Sequence, residues 1–379
     1  MTYNSILPLP DQVQKLYKRT LAGIEAFKKG EMILVGDDGR RENEIDLVFH
    51  SQAATAEKVN FAITHAKGLL CVAVDHTIAD KLGFYSAPRF PHKPGHTAFT
   101  VSVDAAQEIS TGISASDRAY TIKLIGDPKS SVHDFISPGH VFPVVAMQGD
   151  LLSRCGHTEA LSELCSLAQM TKSAAMCEIL ENSGEAFRPG RLSSKEEACY
   201  PFINFPYIST IDLLWFQVFF AKKANSYFKT INDFPLPNDY PTPKCVFKLE
   251  REFEEKITLD TTLLIYQKEF NPHKIRISVN NSIFQWHNGL SPQEACAEII
   301  LTSIENPCLP LSESIENFSD LSAREGLKTT KTSTKRIVSY HRALNFLANY
   351  FNISLEKNIE FIKFIDHNDA EFLKAIYTV

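Results

Sequence analysis

The sequence predicts an α+β protein, in which a mixed sheet with packed helices is followed by a smaller α+β module. Strand-like and helix-like runs are mixed without the strict alternation that is typical of a doubly wound parallel sheet. The length of 379 residues is enough for about two domains. Prolines cluster with Asn and Asp between residues 235 and 243 and indicate a boundary. We therefore expect one domain over residues 1–216 and a second over residues 217–379.

Charge and composition exclude several classes of protein. The formal net charge of -6 is mild and argues against a dedicated nucleic-acid binder. No apolar run is long enough to span a membrane, and residues 1–18 lack the charged-then-apolar pattern of a signal peptide. The eight cysteines are scattered, and Cys71 and Cys177 lie in apolar strand-like runs, which favours buried reduced thiols. These observations predict a cytoplasmic protein with neither nucleic acid nor membrane as a partner.

Periodicity and turn residues predict the elements of the first domain in order. Residues 11–29 suit an amphipathic helix that ends at Gly30, and Thr55 caps a second helix that Gly68 ends. A third helix, Ala119–Leu124, follows the small-residue turn Thr111–Asp117. Predicted strands cover Glu31–Val35, Leu47–Phe49, Leu69–Val74, Phe99–Val103, the start of Phe142–Asp150, and Ala174–Leu180.

The second domain also shows alternating and helical patterns. Its predicted strands cover Cys245–Lys248, Thr261–Tyr266 and Ile275–Val279. A capping box with Pro at the first helical position, Ser291–Glu294, predicts a helix that reaches about Glu305. A helical stripe of core type consists of Ile337, Tyr340, Leu344, Leu347 and Phe351. Two further helices are expected to begin at Ser354 and Asn368.

The stretch Arg154–Glu159 resembles the start of a helix that binds an anion. Apolar residues follow it at helical spacing, and Gly156 allows a tight turn into the helix. The free N–H groups of a helix start favour a phosphate, and Arg154 adds a fork of donors. His157 could also bind a metal. The alternative is a capping Thr158 with a solvated Arg and a packed His.

A second stretch, Asp37–Asp46, is rich in carboxylates. If it is extended, Glu42, Glu44 and Asp46 point the same way, because side chains of a strand alternate between faces. Such a group suits Mg²⁺ ligation and proton abstraction from a sugar. The alternative is an acidic surface loop. Glu178 is expected inside a strand, where it serves either the site or a structural salt bridge. His92, in the loop Pro88–Gly95, and His96, directly after it, are further metal-ligand candidates.

Taken together, these motifs resemble the 3,4-dihydroxy-2-butanone 4-phosphate synthase family over about residues 10–216. The segments that carry the resemblance occur in the family's order: Arg41–Glu44, His65–Val72, Phe99–Asp104, Thr111–Arg118, Pro138–Pro143, Arg154–Ala160, Cys177–Ile179 and Ser209–Leu213.

The resemblance implies a lyase of riboflavin biosynthesis that converts D-ribulose 5-phosphate to 3,4-dihydroxy-2-butanone 4-phosphate and formate. It implies Mg²⁺ or Mn²⁺ as the cofactor and a homodimer with sites at the interface. By the family's pattern, Glu42 and His157 bind the metal. The implied catalytic residues are Glu42, Asp46, Cys71, His157 and Glu178. The implied substrate-binding residues are Arg41, Asp46, Thr111, His140, Arg154, Gly156, Thr158 and Glu178, of which His140 could come from the second subunit.

Relatives of this family often carry a zinc-dependent GTP cyclohydrolase II as the second domain. Such a domain would need three closely grouped cysteines as zinc ligands. Here Cys245, Cys296 and Cys308 are far apart in the sequence, so we expect no cyclohydrolase activity. Residues 217–379 are either a degenerate remnant of such a domain or an unrelated α+β module of unknown function.

One residue departs from the family's pattern: Ile45 occupies a position that is usually Gly. If that position needs a positive φ, a β-branched residue impairs closure of the loop over substrate. If φ is negative there, Ile45 only adds bulk near the ligand. The first case predicts that Ile45→Gly raises turnover and changes stability by no more than about 1 kcal/mol. A catalytically weak or pathway-specialised homologue with a binding or scaffolding role is therefore the alternative function.

Overall fold

The structure is a computed structural model that describes residues 10–37, 41–85, 97–148, 151, 154–194, 201–220, 228–230, 245–249, 260–265, 275–279, 297–302, 334–351, 373 and 375–377. The chain divides into two compact units. The first unit is Leu16–Gln217, and the second joins Met1–Lys15 to Val218–Val379. In the described part of the chain, no helix combines the length and the apolar character that a membrane crossing requires.

A mixed sheet organises the first unit, as the sequence predicts. Its strands are β1 (Ile33–Gly36), β2 (Ile45–His50), β3 (Lys67–Val74), β4 (Ala98–Phe99), β5 (Val103–Ala105), β6 (Phe135–Val145), β7 (Ser173–Ile179) and β8 (Tyr207–Ser209). Their order is β4-β6-β3-β7-β2-β1-β8, with β5 paired to β6. The pairs β3–β6 and β1–β8 are parallel, and the others are antiparallel. This mixture confirms the α+β class.

The described helices lie mainly in the first unit, and the last of them belongs to the second. The helices are α1 (Pro10–Lys28), α2 (Ala56–Phe61), α3 (His76–Leu82), α4 (Ala115–Gly126), α5 (His157–Leu167), α6 (Thr210–Phe219) and α7 (Thr334–Phe351). A π-helical turn, Ala62–Ala66, continues α2, and short 3-10 turns cover Ser51–Ala53, Val132–Asp134, Pro189–Ser194 and Phe202–Asn204. Gly30, with φ of +81°, ends α1, and the Thr55 hydroxyl accepts the Lys58 N–H at 3.3 Å. Both signals act as predicted.

The core of the first unit lies between the sheet and the pair α2 and α4. Buried side chains from β2, β3 and β7 pack against one face of each helix. The cluster includes Leu47, Phe49, Val59, Ala62, Leu70, Val72, Ile122, Ile125, Ala175 and Cys177. The residues from Leu70 to Val74 of β3 and from Ser173 to Cys177 of β7 are all buried. Both faces of these strands are therefore covered, which explains why their sequences are apolar almost throughout.

Three local expectations need correction. The residue in the left-handed conformation after α2 is Lys67, with φ of 73°, and Gly68 already belongs to β3. A Cβ on Gly68 would lie 2.4 Å from the Glu178 carbonyl, so the glycine provides room for β7. The predicted strand Phe99–Val103 is broken into β4 and β5. α4 begins at Ala115, because the Ser114 hydroxyl accepts the Asp117 N–H at 3.0 Å.

The expected extended run of carboxylates is wrong. β2 begins only at Ile45, and Asn43 has a φ of 56°, which interrupts any strand-like alternation between Glu42 and Glu44. The backbone N–H groups of Glu42 and Glu44 instead donate to Asp37, at 3.2 and 2.7 Å. The segment therefore folds around the Asp37 carboxylate.

Ile45 is a core residue of β2. It pairs with Gly36 of β1 and is fully buried in the cluster that contains Leu47 and Phe49. Ile45 is not among the residues with positive φ. The expectation of a glycine-dependent loop at this position is therefore wrong. Because side chains alternate along β2, Ile45 faces the core while Asp46 points to the opposite face.

The second unit contains another mixed sheet. Its strands are β9 (Phe228–Thr230), β10 (Cys245–Leu249), β11 (Asp260–Ile265), β12 (Ile275–Val279) and β13 (Ala297–Thr302), in the order β12-β13-β11-β10-β9. The helix predicted to reach Glu305 is wrong over 297–302. This stretch pairs with β11 and β12, and tertiary pairing overrides the local helical signal.

In α7 three members of the predicted apolar stripe, Tyr340, Leu344 and Leu347, are buried as expected, while the side chains of Ile337 and Phe351 lie outside the described part. The ring of His341 on the same helix stacks on Tyr377, with centroids 5.6 Å apart. Several predicted features lie outside the described residues: the prolines between residues 235 and 243, the capping box at Ser291, the helix starts at Ser354 and Asn368, and the metal-ligand candidates His92 and His96.

Candidate active site

The start of α5 brings Gly156, Arg154 and Glu159 together. Gly156 is the N-cap, and His157 and Thr158 are the first helical residues, both buried. Nη1 of Arg154 donates to Oε2 of Glu159 at 2.6 Å, and Nη2 donates to Oγ1 of Thr97 at 3.0 Å. A Cβ on Gly156 would lie 2.4 Å from Nη1 of Arg154, so only glycine lets the guanidinium approach the helix start this closely. The sequence predicted that Gly156 and Arg154 meet at this helix start, but it did not predict the contacts of Arg154 with Glu159 and Thr97.

Glu159 explains how a buried arginine is held here. Its Oε1 accepts the N–H of Met147 at 3.0 Å, while its Oε2 accepts Arg154. The side chain of Glu159 is 1% exposed and that of Arg154 is 10% exposed. A carboxylate buried to this extent is stable when paired and hydrogen-bonded, and it fixes the direction of its partner.

Two acids and one histidine converge beside this helix start. One carboxylate oxygen each of Asp37 and Glu42 and one ring nitrogen of His157 lie within 4.8 Å of one another. Hard carboxylate oxygens with an imidazole suit a small divalent cation. Burial lowers the pKa of His157, which favours the neutral ring, and a neutral imidazole nitrogen can bind a metal through its lone pair. We refer to these residues as the Asp37–Glu42–His157 cluster.

Arg41 lies in the middle of this cluster. Its Nη1 donates to Oδ2 of Asp37 at 2.8 Å and to Oε2 of Glu42, and it is 3.4 Å from Nδ1 of His157. Arg188 holds the adjoining backbone, because its Nη1 donates to the carbonyl oxygens of Glu42 and Asn43 at 2.5 and 3.1 Å. The two arginines therefore stabilise a segment of high acidic charge.

Asp46 and Glu178 form a pair of carboxyl groups across two strands. They are directly opposite each other on β2 and β7, and Oε2 of Glu178 accepts the N–H of Leu69 at 2.9 Å. Oδ2 of Asp46 lies 3.9 Å from Nδ1 of His157. Among the described residues, Oδ1 of Asp46 and Nε2 of His157 are buried without a hydrogen-bond partner. Such atoms point to a ligand.

The environment of Asp46 favours its protonated form. Burial raises its pKa well above the usual value, and the negative charges of Glu178 and Glu44 raise it further. Cys71, on β3, is buried near the same two carboxyl groups, and burial raises the pKa of its thiol as well. A thiol in this state is a poor nucleophile. Cys71 can therefore line the site, but its environment gives no support to a thiolate.

His140 and Thr111 belong to a second group. Oδ1 of Asp104 accepts the His140 backbone N–H at 2.9 Å, and Oδ2 lies 2.7 Å from Nδ1 of its ring. Gly112 has a φ of +87°, and a Cβ there would lie 2.1 Å from Oδ2 of Asp104, so no larger residue fits. Thr111 precedes this glycine and is exposed. β3 separates β6, which carries His140, from β7, which carries Glu178.

The family profile of 3,4-dihydroxy-2-butanone 4-phosphate synthase matches residues 22–205. The curated synthase of Wolinella succinogenes is 48% identical over 170 residues, which cover 45% of this chain and 49% of that protein. A solved synthase in complex with two magnesium ions is 35% identical, and the match covers 52% of this chain and 94% of that one, with a TM-score of 0.46.

Residues 22–205 of the chain belong to the 3,4-dihydroxy-2-butanone 4-phosphate synthase family. The chain spans about half the length of the curated relatives of this family that it matches. A two-domain synthase from A. baumannii, RibBX, is 20% identical and has a TM-score of 0.57 over 90% of this chain and 91% of that one. This likeness concerns the fold alone, and it extends beyond the residues that the synthase profile matches.

Sequence reasoning about the synthase motifs missed three buried acids: Asp37, Asp104 and Glu159. Each is adjacent to a residue that the motifs single out, and each orients it by hydrogen bonds. Asp37 directly follows β1. This position could have indicated its role from the sequence, because functional side chains often lie in the loops that follow strands. Asp104 acts on His140 from 36 residues away, which spacing along the chain does not reveal, whereas Glu159 is only five residues from Arg154 and carries no motif of its own.

Proposed function

We propose that this chain converts D-ribulose 5-phosphate to 3,4-dihydroxy-2-butanone 4-phosphate and formate, with Mg²⁺ or Mn²⁺, in riboflavin biosynthesis. The observation that carries the proposal is the placement of a metal-type cluster, a phosphate-type helix start and a carboxyl pair within the family region. Glu42, Asp46, His157 and Glu178 all belong to this arrangement. Their grouping favours the synthase over a purely binding or scaffolding role.

The phosphate of the sugar would bind at the start of α5. The backbone N–H groups after Gly156 and the hydroxyl of Thr158 are the donors at this end. Arg154 supplies a positive charge whose direction is set by Glu159 and Thr97. Arg41, next to His157, would contact the same ligand. The sugar is thereby fixed at one end, which positions its reacting carbons.

Glu42 and His157 would hold the divalent cation, and Asp37 is the third group within reach. A bound cation would polarise the ketone of the sugar. The ring of His157 is buried and neutral, and Glu42 projects into solvent with 47% of its side chain exposed. Glu42 can therefore meet a cation that enters from outside. Water and substrate oxygens would complete the ligand shell.

Asp46 and Glu178 would move protons at the sugar. Asp46 keeps a proton more readily than an ordinary carboxyl group, so it can donate to an oxygen of the substrate. Glu178 is held by the N–H of Leu69 and faces Asp46 across the strands, and it would accept or return a proton at a neighbouring hydroxyl. Cys71 would border this pocket as a protonated thiol.

We further propose a homodimer, in which His140 and Thr111 could serve the site of the second copy. Exposed apolar side chains lie on β6, on strands paired with β6, or on segments beside β4 and α4: Leu69, Phe99, Val101, Ile113 and Ile136. A second copy that covers them would remove this apolar surface from water. A cytoplasmic location fits such a biosynthetic role.

The test is to supply D-ribulose 5-phosphate and Mg²⁺ to the full chain and to measure formate. We expect formate in proportion to the enzyme, its loss in EDTA and its recovery on addition of Mg²⁺ or Mn²⁺. Glu42→Gln should abolish turnover, whereas Glu181→Gln, which changes the exposed pair with Arg191, is the matched control. Formate production that persists in EDTA or in Glu42→Gln would contradict the metal assignment.

A further inference from the structure

We propose that Arg41 competes with the divalent cation for the Asp37–Glu42–His157 cluster, so that cation and anionic substrate bind cooperatively. This inference rests on the proposed metal site, and it concerns the order in which the site fills. Arg41 thereby has a second role besides substrate contact. Before the cation binds, the guanidinium group of Arg41 occupies the position of the cation between these side chains.

The geometry of Arg41 carries the proposal. A single nitrogen, Nη1, is 2.8 Å from Oδ2 of Asp37, hydrogen-bonded to Oε2 of Glu42 and 3.4 Å from Nδ1 of His157. These are one atom from each of the three groups whose ligand atoms lie within 4.8 Å of one another. A divalent cation bound to all three would lie close to this nitrogen. Two like charges cannot share this position, so the guanidinium must leave when the cation enters.

Arg41 and Arg188 differ in the groups that their guanidinium nitrogens contact. Arg188 contacts the carbonyl oxygens of Glu42 and Asn43, and its nearest carboxylate oxygen, on Glu44, is 3.9 Å away. Arg188 therefore holds the backbone and does not contact the carboxylates of Asp37 and Glu42, so it can stay in place when a cation binds them. Arg41 pairs with both carboxylates, and only its side chain has to move.

The start of α5 offers the displaced guanidinium a new partner. Nδ1 of His157, the first residue of α5, is already 3.4 Å from Arg41. A tetrahedral anion at that helix start would lie within reach of the displaced side chain and would attract it. An anion therefore draws Arg41 away from the cluster, and it thereby strengthens the binding of the cation. By linkage, the cation strengthens the binding of the anion by the same factor.

The test measures Mn²⁺ binding by the EPR signal of free Mn²⁺, with the full chain and without turnover. Wild type, Arg41→Gln, Glu42→Gln and Arg19→Gln are titrated with and without inorganic phosphate, and a protein-free titration corrects for the Mn²⁺–phosphate complex. Arg19→Gln is the matched control, because it removes one arginine whose ion pair, with Asp212 at 2.7 Å, includes none of the three residues of the cluster.

We expect Arg41→Gln to bind Mn²⁺ about tenfold more tightly than wild type when phosphate is absent, within the usual range of coupling between sites. Phosphate should tighten Mn²⁺ binding to wild type and to Arg19→Gln, and it should have little effect on Arg41→Gln. Glu42→Gln should lose the site.

Two results would overturn the proposal, and they differ in what survives. If Arg41→Gln binds Mn²⁺ no more tightly than wild type while Glu42→Gln loses the site, the metal site stands and the competition does not exist. If wild type and Arg41→Gln bind no Mn²⁺ that Glu42→Gln removes, with or without phosphate, both the metal site and the competition are wrong.

Discussion

Asp104 holds His140 through two hydrogen-bonding contacts from one carboxylate, to the backbone N–H at 2.9 Å and to Nδ1 of the ring at 2.7 Å. The carboxylate is 5% exposed, whereas the imidazole is 41% exposed. A buried acceptor at Nδ1 favours the tautomer with the proton on that nitrogen, and it leaves Nε2 as the hydrogen-bond acceptor of the ring. The pair thus resembles other oriented imidazoles that exchange protons.

Asp104→Asn should lower kcat about 100-fold or more and change KM little. The asparagine amide can donate to Nδ1, which selects the other tautomer, while the amide oxygen still accepts the backbone N–H. The check is a cycle with His140→Ala, with kcat measured by formate release. If Asp104 acts through the ring, the double variant is no slower than His140→Ala. Additive losses in that cycle would show that Asp104 has a separate structural role.

Arg154→Lys should raise KM for ribulose 5-phosphate about tenfold, with a smaller change in kcat. The guanidinium contacts Glu159 and Thr97 through different nitrogens, and a lysine ammonium cannot reproduce this fork. Steady-state kinetics of formate release check the prediction. Arg191→Lys, at an arginine whose side chain is 49% exposed, is the control and should leave KM unchanged. An unchanged KM in Arg154→Lys would place the phosphate elsewhere.

Asp46→Asn should abolish turnover and stabilise the fold at neutral pH. Burial and the neighbouring carboxylates raise the pKa of Asp46, so the folded state binds this proton more tightly than the unfolded state. Stability therefore falls as pH rises from about 4 through the raised pKa, and the cost is complete above it. Removal of the charge should raise Tm at pH 8 by about 2–4 °C, the shift for about 1 kcal/mol in a domain of this size.

Thermal unfolding of wild type and Asp46→Asn in EDTA, from pH 3 to pH 8, checks this sign. The difference in Tm should vanish near pH 3, where both side chains are neutral. Asp80→Asn, at an exposed position of α3, should show no such pH dependence. A wild type that is the more stable protein at pH 8 would mean that a partner offsets the buried charge of Asp46.

Where local chemistry alone decides, the sequence predicted the structure well. Thr55 caps α2, Gly156 precedes α5 and Glu178 lies in β7 because each signal depends on residues within a few positions. The positions of Glu42 and His157 within one cluster also agree with the resemblance, although the assignment as metal ligands stays a prediction.

Where a side chain bends its own segment or a distant strand supplies the partner, the sequence was insufficient. Asp37 became the centre of its segment because it accepts two backbone N–H groups, which bends the chain at Asn43. β13 is a strand because β11 and β12 flank it, although its N-terminal neighbours form a capping-box pattern. Alternation and capping rules assume the local state that they predict, and neither includes a partner from elsewhere in the chain.

Ile45→Gly tests the position where this chain departs from its family, and the structure reverses the expectation from sequence. Ile45 is fully buried in β2 and packs in the main core cluster. Its loss removes buried methyl and methylene groups and leaves a cavity, which costs about 2–5 kcal/mol for Ile→Ala, and glycine in a strand adds about 0.5–1 kcal/mol. We therefore expect Ile45→Gly to lose about 2.5–6 kcal/mol of unfolding free energy and to turn over more slowly. Ile45→Val, which keeps a β-branched side chain, should lose only about 0.5–1.5 kcal/mol and retain activity. Urea unfolding of the three proteins, followed by formate assays at equal folded concentration, measures both effects. A glycine variant within about 1 kcal/mol of wild type and faster in turnover would restore the idea that residue 45 limits a mobile loop.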